Sequence, residues 1–170
     1  MGRVASRSVT CASMASRIAR TASIGAPSGS ATGQSIAGAI GGAVLANAMF
    51  AEPVVRWSTH DRSAGHLLLG EVVATAGLIL LIFGLARADR LHFAPVAVAS
   101  YIGAAYWFTS STSFANPAVT IGRAFSDTLA GIAPGSVLGF IGMQLIGAVV
   151  GLALVAVVFG RPGSRTADDV

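Results

Sequence analysis

The sequence predicts an all-α membrane protein with about four membrane-crossing helices and one re-entrant half-helix. Of its 170 residues, 54% are hydrophobic and 11% are charged, whereas charged residues make up about 25% of an ordinary soluble domain. The charges are clustered, and three uncharged runs of membrane length remain: 21–51, 91–122 and 128–160. Each can cross the hydrocarbon core, which is about 30 Å thick. A buried core of a soluble helical protein rarely contains several such runs in a short chain.

The chain divides into a polar head, a membrane domain and a tail. Residues 1–33 contain four arginines, many small polar residues and no acidic residue, which predicts disorder. The same composition suits an organelle transit peptide or a misassigned translation start, and we favour the second. Residues 34–160 form the predicted membrane domain, and residues 161–170 form a predicted cytoplasmic tail.

Four apolar segments predict the crossing helices, at about 34–50, 66–86, 93–109 and 134–159. Arginines in the 87–92 turn, the head and the tail predict that these parts face the cytoplasm, because positive charge concentrates there in membrane proteins. The loop at 52–65 should then face outward. Its charged residues are typical of an ordinary charge-balanced loop, and they include Arg56, Asp61 and Arg62.

A short apolar segment lies between the third and fourth predicted crossings, from Phe114 to Phe125. It is too short to span a membrane, which predicts a re-entrant half-helix. Asn116 is a favoured N-cap residue, and Pro117 suits the first helical position because its missing N–H costs nothing there. We therefore expect the half-helix to begin at Asn116. If this start lies at bilayer depth, its positive end and the Asn116 amide disfavour cations and favour neutral polar molecules.

Residues 99–151 carry a wider resemblance, from Ala-Ser-Tyr-Ile-Gly-Ala-Ala-Tyr-Trp through Asn-Pro-Ala-Val-Thr to Gln-Leu-Ile-Gly-Ala-Val-Val-Gly. They resemble the second half of the major intrinsic proteins, the family of aquaporins and glycerol facilitators, in its bacterial type. The resemblance extends over about 34–160. It implies an aquaporin-like helical bundle, in which two inverted repeats each supply one Asn-Pro-Ala half-helix to the pore. Only the second motif is present here, and most of the first repeat is lacking.

The resemblance also implies which residues line the pore. Asn116, Pro117 and Ala118 form the signature motif. Water-selective relatives have an arginine at the position of Val119 and a histidine at that of Ala104, so the implied filter is wide and apolar. Arg123 lies one turn beyond Val119 and either restores some positive charge at the mouth or is an ordinary interfacial arginine.

Glu71 is the one acidic residue within a predicted crossing helix. A carboxylate in the membrane needs partners, and the resemblance implies that Glu71 accepts hydrogen bonds from the loop that carries the signature. This structural role is favoured over proton transfer, since no second acidic residue lies in a membrane run to relay protons. Gln144 and the glycines of the last helix suit either the pore or close helix packing.

Other classes of site find little support in the sequence. His60, His66 and His92 lack the spacing of a metal site, and no cofactor motif is present. The serines at 110–113 lack a nucleophile elbow, so no enzymatic activity is predicted. All eleven basic residues are arginines scattered singly or in pairs, which indicates membrane topology rather than binding to nucleic acid.

The sequence thus predicts a passive channel for water or small uncharged solutes, in the inner (plasma) membrane of a bacterium. The family resemblance implies a homo-tetramer in the lipid bilayer, or association with intact channel subunits. The alternative is a truncated, non-conducting membrane fragment that needs the missing first repeat or intact subunits.

Overall fold

The computed structural model describes residues 31–160, with side chains from Gly33 onward. Within this range the chain is helical, with the order α1 (Ala31–Met49), α2 (Gly65–Arg87), a short 3-10 turn (Leu91–Phe93), α3 (Ala94–Phe108), α4 (Pro117–Arg123) and α5 (Pro134–Val158). The predicted disorder of the head and the predicted cytoplasmic tail at 161–170 fall outside the described residues. Only the last three residues of the head are described, and they belong to α1.

The predicted all-helical membrane fold is confirmed, and the observed helices lie within about three residues of the predicted ones. Three stretches are long and apolar enough to cross a membrane: Gly65–Arg87, Leu91–Phe108 and Pro134–Val158. The remaining predicted crossing, α1, does not reach this apolarity. Its 19 residues would extend for roughly 29 Å, but they are mostly alanine and glycine and include Gln34, Ser35 and Asn47.

The longest helices, α2 and α5, pack against each other along glycines of α5. A Cβ atom built on Gly147 would lie 2.7 Å from the carbonyl oxygen of Val72, and one built on Gly151 would lie 2.8 Å from that of Ala76. Such contacts are closer than atoms tolerate, so only glycine allows the two backbones to approach this far. Helix α3 packs against α2, and α4 packs against α5.

Helix α4 is a half-helix of seven residues, about 10 Å long, and it packs against α1 and α5. Its contact with α1 is again a backbone approach: a Cβ on Gly122 would lie 2.8 Å from the backbone of Ala39. Helix α1 therefore packs along one side of the half-helix, although it is the least apolar of the long helices.

The loop between α1 and α2 is docked onto the segment that follows the half-helix. The backbone N–H groups of Arg56 and Ser58 donate to the carbonyls of Phe125 and Ala124 at 3.2 and 3.0 Å, and Trp57 stacks against Phe125 with ring centroids 4.7 Å apart. The Asp127 carboxylate accepts from the Thr59 backbone N–H at 2.9 Å. That hydrogen bond is the main reason why the pKa of Asp127 is lowered, and it secures the loop.

Candidate functional site

The half-helix begins where the sequence places it. Asn116 has an extended backbone (φ −157°, ψ 120°), and its side-chain oxygen accepts from the Ala118 N–H at 2.9 Å. Pro117 occupies the first helical position, and the Asn116 carbonyl accepts from the backbone N–H and the hydroxyl of Thr120, both at 3.0 Å. The Asn116 side chain is exposed. Since its oxygen is used for capping, the amide N–H groups are the donors that this side chain has left to offer.

The chain reaches this start through residues 111–115, here called the lead-in segment, which has an unusual backbone. Thr112, Ser113 and Ala115 have φ values of 61°, 48° and 46°. This left-handed region disfavours residues that carry a Cβ, and each such residue costs on the order of 1–3 kcal/mol. The lead-in segment therefore depends on surrounding contacts to keep its conformation.

Glu71, on α2, supplies one set of these contacts. Its side chain is fully buried, and its two carboxylate oxygens accept from the backbone N–H groups of Phe114 and Ala115 at 2.9 and 3.0 Å. Gln144 of α5 donates to the same carboxylate at 2.8 Å. Glu71 thus accepts hydrogen bonds from the lead-in segment.

Gln144 connects Glu71 to the half-helix itself. Its amide nitrogen also donates to the Thr120 hydroxyl at 2.8 Å, so one side chain of α5 contacts both α2 and α4. Gln144 is 2% exposed and Thr120 is fully buried. A polar network of this kind in an apolar environment strongly favours one geometry, because any displaced member leaves a buried partner unsatisfied. Gln144 therefore joins α2 and α4 through hydrogen bonds, in addition to packing between helices.

Arg62 supplies the second set of contacts, and no local sequence pattern predicts this role. It was expected to be a charged loop residue, but it is only 4% exposed. Its guanidinium donates to the carbonyls of Gly131 at 2.6 Å, Leu129 at 2.8 Å and Ser111 at 3.0 Å. Nothing in its spacing or neighbours distinguishes it from Arg56, which lies in the same loop and is exposed.

The residues predicted for the filter are brought together in part. Val119 and Arg123 line a cleft of about 570 Å³ between α1 and the half-helix, whereas Ala104 is exposed on α3 and does not line it. Phe114 lies close to Arg123, whose guanidinium is 5.8 Å from the centre of the Phe114 ring. Val119 packs against the buried cluster formed by Phe114, Ala124, Ile132 and Phe140.

The cleft is apolar along α1 and polar near the end of the half-helix. Its α1 wall is formed by small and apolar residues, with Asn47 at its end. Asn47 is buried and donates to the Phe125 carbonyl at 3.0 Å, while its oxygen accepts from the Ser126 hydroxyl at 2.7 Å. Arg123 adds positive charge beside these groups. The arrangement offers no cluster of metal-ligating side chains among residues 31–160.

A bundle of long apolar helices, with a polar network holding a short half-helix between them, is typical of a polytopic membrane protein. Comparison with known proteins adds the family. The chain is 47% identical, over 119 residues, to the aquaglyceroporin AqpS of Rhizobium meliloti (strain 1021). The chain belongs to the major intrinsic protein family, as its sequence suggested.

The match covers 70% of this chain and 51% of the relative, so the chain spans about half the length of the curated protein that it matches. No model of a protein family matched the chain, and no solved structure matched it. The chain has three helices of membrane length. Together with the homology, they identify it as an integral membrane protein.

Proposed function

We propose that the chain supplies one half of a passive channel for water or small uncharged solutes. The observation that carries this proposal is the half-helix that starts at the exposed Asn116. The start is held by Glu71 and Gln144. An amide donor at the positive end of a helix suits neutral polar solutes and repels cations. The homology with a protein named as an aquaglyceroporin supports the same function.

We further propose that the filter is wide and permissive. Val119 stands where water-selective relatives have an arginine, and the small Ala104 stands where they have a histidine. Ala104 lies outside the cleft, on the exposed face of α3, and would line the filter only from that face. Arg123 faces the same cleft as Val119, which supports the view that it contributes positive charge one turn further along. This filter would admit solutes larger than water, with Asn116, Pro117 and Ala118 at the narrowest polar point.

A pore of this kind needs a second half-helix facing the first, and the open cleft along α1 supports the need for a complementary half. That half comes either from the same polypeptide or from another one, including an intact channel subunit. The assembled protein would be a tetramer in the inner membrane of a bacterium. If no complementary half is ever supplied, the chain is a non-conducting fragment.

Solute flux into liposomes tests the proposal. The 170-residue chain is reconstituted alone, and also with the half of the Rhizobium meliloti aquaglyceroporin that it does not match, made as a separate polypeptide. Swelling in a glycerol gradient is followed by light scattering. We expect flux above that of empty vesicles only when both polypeptides are present. Flux at the level of empty vesicles with both polypeptides folded in the membrane would favour the non-conducting fragment.

The substitution Asn116→Asp should bring the flux of the paired system down to that of empty vesicles. Asp is as good an N-cap residue as Asn, so the half-helix should still form. The amide donors are lost, however, and a negative charge enters the path of neutral solutes. The matched control is Val55→Asp, which adds the same charge at an exposed position of the loop before α2 and should leave most of the flux intact. Equal losses in both variants would contradict a pore-lining role for Asn116.

A further inference from the structure

Arg62 lies where three segments of the chain meet. It belongs to the loop before α2, and its guanidinium contacts the lead-in segment through Ser111 and the segment after the half-helix through Leu129 and Gly131. Each of its three nitrogen atoms donates to a different backbone carbonyl. Because the guanidinium is planar and rigid, these bonds fix the three segments relative to one another.

Among residues 31–160, Arg62 forms no direct ion pair, and the Glu71 carboxylate acts on its charge only from beyond ion-pair distance. Both ion pairs found within residues 31–160 involve Arg56. Burial lowers the pKa of the Arg62 guanidinium, but an arginine keeps its charge in proteins. The guanidinium lies 5.1 Å from the centre of the Phe114 ring, which also contacts Arg123. The Phe114 ring therefore lies within cation–π distance of the Arg62 and Arg123 guanidinium groups. Val119 packs against the buried cluster that contains this ring.

We propose that Arg62 is a positioning residue for the half-helix. From the loop before α2, it holds the strained lead-in segment and the segment after the half-helix in place, and it keeps Phe114 and Arg123 beside Val119. The consequence for solute selection rests on the proposed channel function. In that case Arg62 also supplies, from a different element, positive charge near a filter that lacks an arginine after its Asn-Pro-Ala motif.

Replacement of Arg62 by lysine tests this role, because lysine keeps the charge but its single ammonium group cannot serve three separate carbonyls. The control is Arg56→Lys in the same loop, where the side chain is half exposed. The first measurement is amide hydrogen exchange of the 170-residue chain in detergent, which does not depend on conduction. The second is the ratio of glycerol to water flux in the paired liposome system.

We expect Arg62→Lys to speed exchange of the Ser113, Phe114 and Ala115 amides by about tenfold or more, since charge-assisted hydrogen bonds are lost. Amides in the middle of α5 should be unaffected, and Arg56→Lys should resemble the unmodified chain. The flux ratio should also shift, which a mere loss of folded protein would not cause, because that lowers both fluxes by the same factor.

Three results would overturn the proposal: unchanged exchange in the lead-in segment, exchange that rises equally throughout α2 and α5, or an unchanged flux ratio in a conducting system. The second would make Arg62 a general stabilising residue. Absence of flux from the unmodified paired system would instead count against the channel function. Faster exchange confined to the lead-in segment would in that case still support the positioning role.

Discussion

Replacing Glu71 with glutamine should reduce the free energy of unfolding by about 3 kcal/mol, because at least one buried donor loses its acceptor. The two carboxylate oxygens now accept from the backbone of Phe114 and Ala115 and from Gln144. A glutamine offers one acceptor oxygen, and its amide nitrogen would face donors rather than acceptors. The lead-in segment, already in a left-handed conformation at three residues, would lose the contact that holds it.

The measurement is unfolding of the chain in mixed micelles, followed by helical circular dichroism. Glu52→Gln is the matched control, since Glu52 makes an exposed ion pair with Arg56 at 3.0 Å. Exposed ion pairs contribute about 0–1 kcal/mol, so the control should change little. If both substitutions had the same small effect, Glu71 would not be the anchor of the lead-in segment.

The second large effect is expected at Gly147, where alanine should destabilise the pair of helices α2 and α5 by about 1–3 kcal/mol through overpacking. The added methyl group would meet the Val72 carbonyl oxygen at 2.7 Å and the Thr75 Cβ at 2.9 Å. Neither is the flexible end of a side chain, so the two helices would have to move apart.

Gly142→Ala is the control on the same helix, because a Cβ there has no neighbour within 4 Å. It should be neutral or stabilising by up to about 1 kcal/mol, the intrinsic preference of a helix for alanine over glycine. The two alanine substitutions should therefore change unfolding in opposite directions in the same assay. Two effects of the same sign and size would mean that α2 and α5 do not pack as closely as described.

The helices and the start of the half-helix could be predicted from the sequence because local signals determine them. Runs of apolar residues set the positions of α2, α3 and α5, and the Asn116-Pro117 pair sets the start of α4. Capping and proline geometry act within a few residues, so they can be read directly. The apolarity of α1 is lower than its alanine, isoleucine and valine residues suggest, because its glycines and polar residues such as Gln34 and Asn47 lower the mean hydropathy.

The contacts that hold the half-helix could not be predicted in the same way. Arg62 and Ser111 are 49 positions apart, and Gln144 and Glu71 are 73 positions apart. Nothing in the local pattern of either arginine in the 52–65 loop shows which one is buried. The left-handed residues of the lead-in segment are threonine, serine and alanine, whereas a local reading would expect glycine at such positions.

We expect the segment around Asn116 to leave the membrane on the side from which it entered. Cys11 is the single cysteine of the chain, so Cys11→Ser gives a background for labelling with a membrane-impermeant thiol reagent. Ser110→Cys and Thr128→Cys flank the half-helix at exposed positions, while Trp57→Cys and Asp89→Cys mark the loops at the two ends of α2.

In sealed vesicles of uniform orientation, Ser110→Cys and Thr128→Cys should both be labelled from the side that labels Trp57→Cys, and Asp89→Cys should be labelled from the opposite side. Labelling of Thr128→Cys from the side of Asp89→Cys would show that the segment crosses the membrane, and it would contradict the re-entrant half-helix.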